Sequence, residues 1–213
     1  MKKSIADIRK EYTALSLRAS EVAEHPVKQF LNWFDMALSA EIMEPNAMTL
    51  STVDGTKPSS RIVLLKGVEN DEFVFYTNYH SAKGTQMANS PFVCLNFFWP
   101  ELERQVRIEG EVRKVNADTS DAYFKSRPRA SQIGAWVSPQ SEKIQNRSIL
   151  DKRLEEIELK FKDKEVERPP HWGGFTVKPS MIEFWQGRPS RLHDRIQYTL
   201  SDAKKWNIER LAP

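Results

Sequence analysis

The sequence predicts an α+β fold, mainly β, in which antiparallel strands build a small barrel of Greek-key type with helices inserted or flanking it. Three observations carry this expectation. AMTLSTV and SSRIVLLKG flank an Asp54-Gly55 turn in the pattern of a β-hairpin. RQVRIEGEVRKV alternates apolar with polar side chains, the period of a strand with one buried face, and EFVFYTN and DRIQYTL read as further strands. Helical periodicity is confined to a few short segments between them.

Taken in order, Ile5, Ile8, Tyr12 and Leu15 recur at helical spacing after Ser4, which predicts a short amphipathic helix or ordered arm over 4–15. A second helix starts near Pro26, and its stripe of Phe30, Trp33, Phe34, Ala37 and Leu38 should pack on a sheet. After the hairpin and EFVFYTN, Ser81 to Asn89 reads as a short helix. FVCLNFFW is nearly continuous in apolar residues and predicts a strand buried on both faces. In RQVRIEGEVRKV, Val106, Ile108 and Val112 should face inward, with a bulge or bend at Gly110. Asp118 is the expected cap of a helix through Tyr123, and a loop with a short helical piece follows. Ser148 to Lys164 reads as a mostly solvated helix with Ile149, Leu154, Ile157 and Phe161 on its apolar edge. HWGGFTV, MIEFWQ, DRIQYTL and WNIERL supply closing strands.

At 213 residues the chain suits one domain, 1–213, with a single sizeable core. Its 32 basic and 29 acidic residues leave a formal charge of +3, which argues for neither a nucleic-acid nor a membrane surface. The first residues, MKKSIADIRKEYTALSL, scatter charges where a secretory signal needs an apolar run, and no window approaches a membrane span. One cysteine, Cys94, cannot pair within the chain, and a reducing cytoplasm fits. The four histidines lack metal-ligand spacing, so no metal is expected. P-loop and GxGxxG signatures are missing too.

Chemistry gathers in four places. In EFWQGRPSRLHDR, Gly187 and Pro189 bracket a turn. An extended chain from Arg191 would set Arg191, His193 and Arg195 on one face as an anion or ring clamp, unless this is only an exposed polar strand. Arg61 and Lys66 lie five apart, hence on opposite strand faces, where they serve different anions or are a salt-bridged arginine and a snorkelling lysine. Tyr76 and Thr77 end a strand just before Ser81 and Lys83, whose place at a helix N-terminus suits a phosphate as well as a plain surface cap. Tyr123, Arg127 and Ser131 recur every four residues, with Pro128 bending the path. A phenol, a guanidinium and a hydroxyl are fitting neighbours for a phosphate monoester, and Gln140 and Ser141 follow in the next loop.

Together LERQVRIEG, YFKSRPRASQIGAWVSPQS, WGGF, EFWQGRPSRLHDR and the final ERLAP resemble the pyridoxine/pyridoxamine 5'-phosphate oxidase family, over about Ile5 to Pro213. The resemblance implies an FMN-binding split β-barrel with flanking helices, an N-terminal helical arm over 1–20 and a dimerisation and substrate segment over 183–213. It implies a homodimer with FMN at the interface. The reaction implied is oxidation of pyridoxamine 5'-phosphate or pyridoxine 5'-phosphate to pyridoxal 5'-phosphate by O₂, giving H₂O₂. By position, Arg61, Ile62, Val63, Leu64, Leu65, Lys66, Tyr76, Thr77, Lys83, Gln105, Gln140, Ser141, Trp185 and Arg195 match the flavin pattern. Arg9, Tyr12, Lys66, Tyr123, Arg127, Ser131, Arg191 and His193 match the substrate pattern, with Arg191 and His193 at the reacting side.

One position departs from the family. Where members commonly read SRK, this chain has Ser81-Ala82-Lys83, so one cation for the FMN phosphate is missing. A charge-assisted hydrogen bond is worth about 1.5–3 kcal/mol, so flavin should bind about one to two decades more weakly than with arginine at 82. Two rivals stand beside this reading: another flavin split-barrel enzyme, against which the Arg127 cluster argues, and a non-catalytic carrier, against which Arg191 and His193 argue.

Overall fold

The structure, a computed structural model, describes residues 4–5, 11–13 and 15–213. Half of the 4–15 stretch, expected as a short helix or ordered arm, lies outside them, and residues 11–13 and Leu15 have no helical structure. The described elements are helix α1 (Pro26–Ser39), strands β1 (Ala47–Asp54), β2 (Lys57–Leu64), β3 (Gly67–Glu69) and β4 (Glu72–Asn78), helix α2 (Ala82–Asn89), strands β5 (Phe92–Trp99) and β6 (Arg104–Lys114), helices α3 (Ala117–Ser126), α4 (Arg129–Val137) and α5 (Ser148–Lys160), and strands β7 (Trp172–Gln186), β8 (Asp194–Leu200) and β9 (Trp206–Leu211). The sheet runs β2-β1-β5-β6-β7-β4-β3, with β8 beside β7 and β9 beside β8. This is the expected α+β class, mainly β. No described helix is long and apolar enough to cross a membrane.

The chain divides into two compact units, one through Leu50 with Cys94–Gly110 and Pro179–Pro213, the other Ser51–Val93 with Glu111–Lys178. In the first, α1 buries Phe30, Trp33 and Ala37, the i, i+3, i+7 stripe of its sequence. Phe30 packs 5.1 Å from Phe97, Trp33 stands edge-on to Phe184 at 5.2 Å, and Phe184 meets Tyr198 at 5.6 Å. Arg104 is buried in this core with its guanidinium 4.2 Å over the Trp33 ring. Its Nε donates to Gln186 at 2.9 Å, and burial lowers its pKa to about 10. In the second unit the core is Phe124, Ile133, Val137, Phe161, Val166 and Trp172, contributed by α3, α4 and the segments leading to β7.

Several expectations are corrected. FVCLNFFW is not buried on both faces: Val93, Leu95 and Phe97 are buried, but Phe92 and Phe98 are 68% and 51% exposed. An antiparallel strand with one covered face keeps the two-residue period even when its sequence is apolar throughout. HWGGFTV and MIEFWQ are one strand, β7, antiparallel to β4 over Trp172–Val177 and to β8 over Met181–Gln186. Pro179 falls between those two registers, outside the stretches that pair with β4 and β8. Asn116 caps α3, accepting from the Thr119 amide at 2.7 Å, and Asp118 sits in the first turn where the dipole favours it. α5 ends at Lys160, short of the expected Lys164. The longest correction concerns 191–195. Pro189–Arg191 is a 3₁₀ turn with Ser190 and Arg191 at positive φ, and the strand begins only at Asp194, so Arg191, His193 and Arg195 do not share a strand face.

Because Phe184 is fully buried between Trp33 and Tyr198, Phe184→Ala should lower the unfolding free energy by about 3–5 kcal/mol in urea titrations. A loss below about 1 kcal/mol would show that this ring is not central to the core.

Candidate functional site

Two cationic clusters stand close together in the second unit. The first is built on the β4–α2 junction. Ser81 caps α2 by accepting from the Gly84 amide, which leaves the first-turn amides pointing outward at the positive end of the helix. Lys83 Nζ donates to Gln140 at 2.8 Å, to Thr77 Oγ1 at 3.0 Å and to Ser81 Oγ at 3.3 Å, all neutral acceptors. Nearby, Arg61 on β2 donates to Thr52 Oγ1 and Ser59 Oγ at 2.6 Å each and to Gln86 Oε1 at 3.1 Å. Burial, then the positive field of Arg61, brings the Lys83 pKa down to about 8. Two cations gathered on neutral oxygens describe a cradle for an anion.

The second cluster lies where α3 gives way to α4. The helical path from Tyr123 breaks at Arg127, before Pro128, so the predicted i, i+4, i+8 ladder is replaced by a corner. That corner turns Arg127 over the Trp172 ring at 4.5 Å. Arg127 Nη1 is buried and has no hydrogen-bond partner, although a buried guanidinium N–H without an acceptor is costly. It lines a cavity of about 240 Å³ with Ser131, Asn78, Gln140 and Trp172. Tyr76 and Tyr123 stack at 3.8 Å, and Tyr76 continues the stack to Trp172 at 5.5 Å. Gly174 makes room for them, since a Cβ there would fall 2.8 Å from the Tyr76 ring. Burial raises the pKa of both phenols, that of Tyr76 to about 12, so both remain hydrogen-bond donors near neutrality. Gln140 therefore belongs to both clusters.

The remaining positions of this unit are less enclosed. Ile62, Val63 and Leu64 lie on β2 with Ile62 largely exposed, Leu65 is buried just beyond, and Lys66 is exposed while its amide bonds the Val74 carbonyl. Ser141 is exposed in a left-handed conformation, and Ala82 is exposed at the start of α2.

The first unit holds a different group. Trp185 and His193 lie 4.6 Å apart, and Tyr12 stands edge-on to both at 5.7 and 5.8 Å. The Arg188 amide donates to His193 Nδ1 at 3.1 Å, which places the proton of the neutral ring on Nε2. Burial and the neighbouring Arg191 lower its pKa, so the ring is neutral at pH 7. Arg191 is exposed on its turn, Gln105 is half-buried on β6, and Arg9 lies outside the described residues. Arg195 is held by Glu183, its Nε donating at 2.7 Å, and by the Ala212 carbonyl at 2.8 Å.

Glu183, which sequence reasoning had not singled out, is nearly fully buried and also accepts from Arg107 at 2.7 Å. Burial alone would raise its pKa, but its bonds to Arg195 and Arg107 hold it below the ordinary carboxylate value. The available signal was an acid inside the apolar run MIEFW, which can be buried only beside a cation. Asn78 and Trp172, which line the cavity, carried no comparable signal.

Comparisons with known proteins bear on the family and the fold. The family model described as pyridoxamine 5'-phosphate oxidase matches residues 34–161, and that described as the pyridoxine 5'-phosphate oxidase C-terminal dimerisation region matches 172–213. Pyridoxine/pyridoxamine 5'-phosphate oxidase from Gloeothece citriformis is 56% identical over 215 residues, covering all of both chains. Its counterpart from Cytophaga hutchinsonii is 54% identical with the same coverage. Among solved structures, PhzG from Burkholderia lata covers 96% of this chain and 100% of its own with a TM-score of 0.88 at 23% identity. A pyridoxamine 5'-phosphate oxidase-related, FMN binding protein from Nostoc punctiforme covers 90% and 100% at 0.70 and 16% identity. These two likenesses show the fold, the split β-barrel expected from the sequence.

Removing the Glu183 charge should cost stability that depends on pH. Its depressed pKa contributes stability above the ordinary carboxylate pKa and loses it as pH falls through the folded value. Glu183→Gln is expected to lose about 1–3 kcal/mol at pH 7 in denaturant titrations, with the difference from the parent shrinking in acid. A difference that persists unchanged at low pH would mean the charge is not its source.

Proposed function

The chain belongs to the pyridoxamine 5'-phosphate oxidase family, and we propose that it oxidises pyridoxamine 5'-phosphate and pyridoxine 5'-phosphate to pyridoxal 5'-phosphate in vitamin B6 salvage or biosynthesis, with FMN as its cofactor and O₂ as acceptor. Pyridoxine 5'-phosphate and O₂ give the aldehyde and H₂O₂; the amine also consumes water and releases ammonia. The observation that carries the reading is the buried, unpartnered Nη1 of Arg127 in a cavity shared with Ser131. A substrate phosphate would supply the missing acceptor, with Tyr123 and Lys66 as further donors. The Lys83–Arg61 cradle and the α2 N-terminus fit a second monoester, that of FMN, with Thr77, Gln140 and Ser141 around it. Two phosphate sites sharing Gln140 are what an enzyme holding two phosphorylated ring molecules side by side requires.

Bound flavin supplies a two-electron acceptor for the hydride that leaves the substrate 4' carbon. The protein's part is positioning and charge. Trp185, Gln105, Arg195 and residues 61–66 match the flavin pattern, while Arg191, His193, Tyr12 and Arg9 are assigned to the vitamer ring. His193, neutral with its proton on Nε2, offers a hydrogen-bond donor and needs no deprotonation to do so. Ser190 and Arg191, both at positive φ, hold the Arg191 backbone on a tight left-handed turn. The exposed Phe92 and Phe98 of β5 and Ile62 of β2 favour a homodimer that would cover them, with FMN at the interface, in the cytoplasm.

Aerobic turnover tests the reading. Purified protein with FMN and either vitamer should produce H₂O₂ and pyridoxal 5'-phosphate absorbance; no peroxide from either would sink it. Arg127→Ala should raise KM about 10–100-fold with kcat little changed, whereas Arg191→Ala should lower kcat as well.

The Lys83 pKa gives a second test that needs no turnover. Near pH 8 the free lysine loses its charge, so FMN affinity, followed by flavin fluorescence, should fall above about pH 8 by up to about tenfold per unit. Affinity that stays flat to pH 9.5 would remove Lys83 from the phosphate site.

A further inference from the structure

The described residues between Tyr12 and Arg18 form no helix or strand, so their backbone polar groups must find partners in other segments. Those partners converge on Asp194. Its Oδ2 accepts from the Leu17 amide at 3.1 Å, and its Oδ1 accepts from Arg210 Nη1 at 2.6 Å. Arg210 Nη2 donates in turn to the Leu17 carbonyl at 2.8 Å, so one carboxylate and one guanidinium close on both polar groups of the same residue. Arg188 Nε lies 3.5 Å from Asp194 Oδ2, and its Nη1 donates to the Leu15 carbonyl at 3.0 Å. The Leu17 side chain is 5% exposed, which anchors the segment in apolar surroundings as well.

A few residues upstream the same segment delivers Tyr12 to a seat made by Gly187. A Cβ on Gly187 would lie 2.7 Å from Tyr12 Cγ, so only glycine lets the ring settle there, edge-on to Trp185 and His193. The latch and the seat alternate along one stretch of chain: Gly187 seats, Arg188 latches, His193 meets the ring and Asp194 latches again.

We infer that Asp194, with Arg188 and Arg210, is a positioning residue that fixes the segment carrying Tyr12 and thereby sets affinity for the vitamer, a role that rests on the assignment of Tyr12 and His193 to the vitamer ring. Burial alone would raise the Asp194 pKa, but the Leu17 amide, Arg210 and Arg188 bring it below its ordinary value, so the latch is charged at neutral pH. The ion pairs are partly exposed and would do little as mere staples. Their consequence lies in what they orient.

The test uses full-length protein loaded with FMN. Asp194→Ala should speed hydrogen exchange of the Leu17 amide about tenfold or more, and should raise KM for pyridoxamine 5'-phosphate about tenfold with kcat within about twofold and FMN affinity unchanged. Gly187→Ala, which crowds Tyr12 and leaves the latch alone, should raise KM similarly with Leu17 still protected. In combination with Tyr12→Ala, the Asp194→Ala change should add nothing further. Unchanged KM with Leu17 released, or a parental KM in Gly187→Ala, would overturn the proposal, as would additive effects in the double variant. If the parent protein turns over neither vitamer, the functional reading fails separately; binding of pyridoxal 5'-phosphate, by its absorbance, then replaces KM in the same comparison.

Discussion

The register of β7 is the constraint on which both groups of functional side chains depend. A strand presents side chains alternately, and a slip of one residue would turn every one of them to the wrong face. Along its first half β7 pairs with β4, setting Gly174 opposite Tyr76 and Gly173 opposite Thr77; along its second half it pairs with β8, setting Trp185 opposite Arg195. The same ladder therefore carries the Tyr76–Trp172 stack at one end and the Glu183–Arg195 pair at the other. Pro179 lies at the handover from β4 to β8.

On that frame the protein separates its cations into two kinds. Arg107 and Arg195 are matched to the buried carboxylate of Glu183, Arg113 to Glu72, and Arg168 to Asp121, each within 2.7 Å. Lys83 meets only neutral oxygens, and Arg127 leaves one buried nitrogen without an acceptor. For Glu183 and Glu72, the first kind lowers the cost of burying an acid inside a strand. The second keeps positive charge partly desolvated, so that under the proposed function an entering phosphate would meet donors that need not first abandon a carboxylate. Burial, then the field of Arg61, accounts for the lowered Lys83 pKa.

The segment around Tyr12 adds a third kind of use for charge. Asp194, Arg188 and Arg210 hold backbone rather than ligand, and the ring they help to place packs against Trp185 and His193 through apolar edges. Charges can govern the geometry of rings they do not touch, because an irregular segment has few other means of staying in one conformation.

Much of this was open to reading in the sequence. Strand and helix positions followed from period, with α1 starting at Pro26 and the Asp54-Gly55 hairpin where expected, because local sterics and one-sided burial act through neighbours a few residues apart. The motifs around Arg127 and His193 identified the family from residue types alone. Tertiary structure decided what depends on distant partners: that β5 leaves Phe92 and Phe98 exposed, that two predicted strands are one, and that Arg191 sits on a left-handed turn instead of a strand. It also decided which cations are neutralised. The sequence by itself determined which charged and aromatic groups the chain possesses and their order along it. Whether an arginine meets a carboxylate, a ring or nothing was settled only by folding, since Coulomb and desolvation energies depend on separations across the fold that residue spacing does not encode.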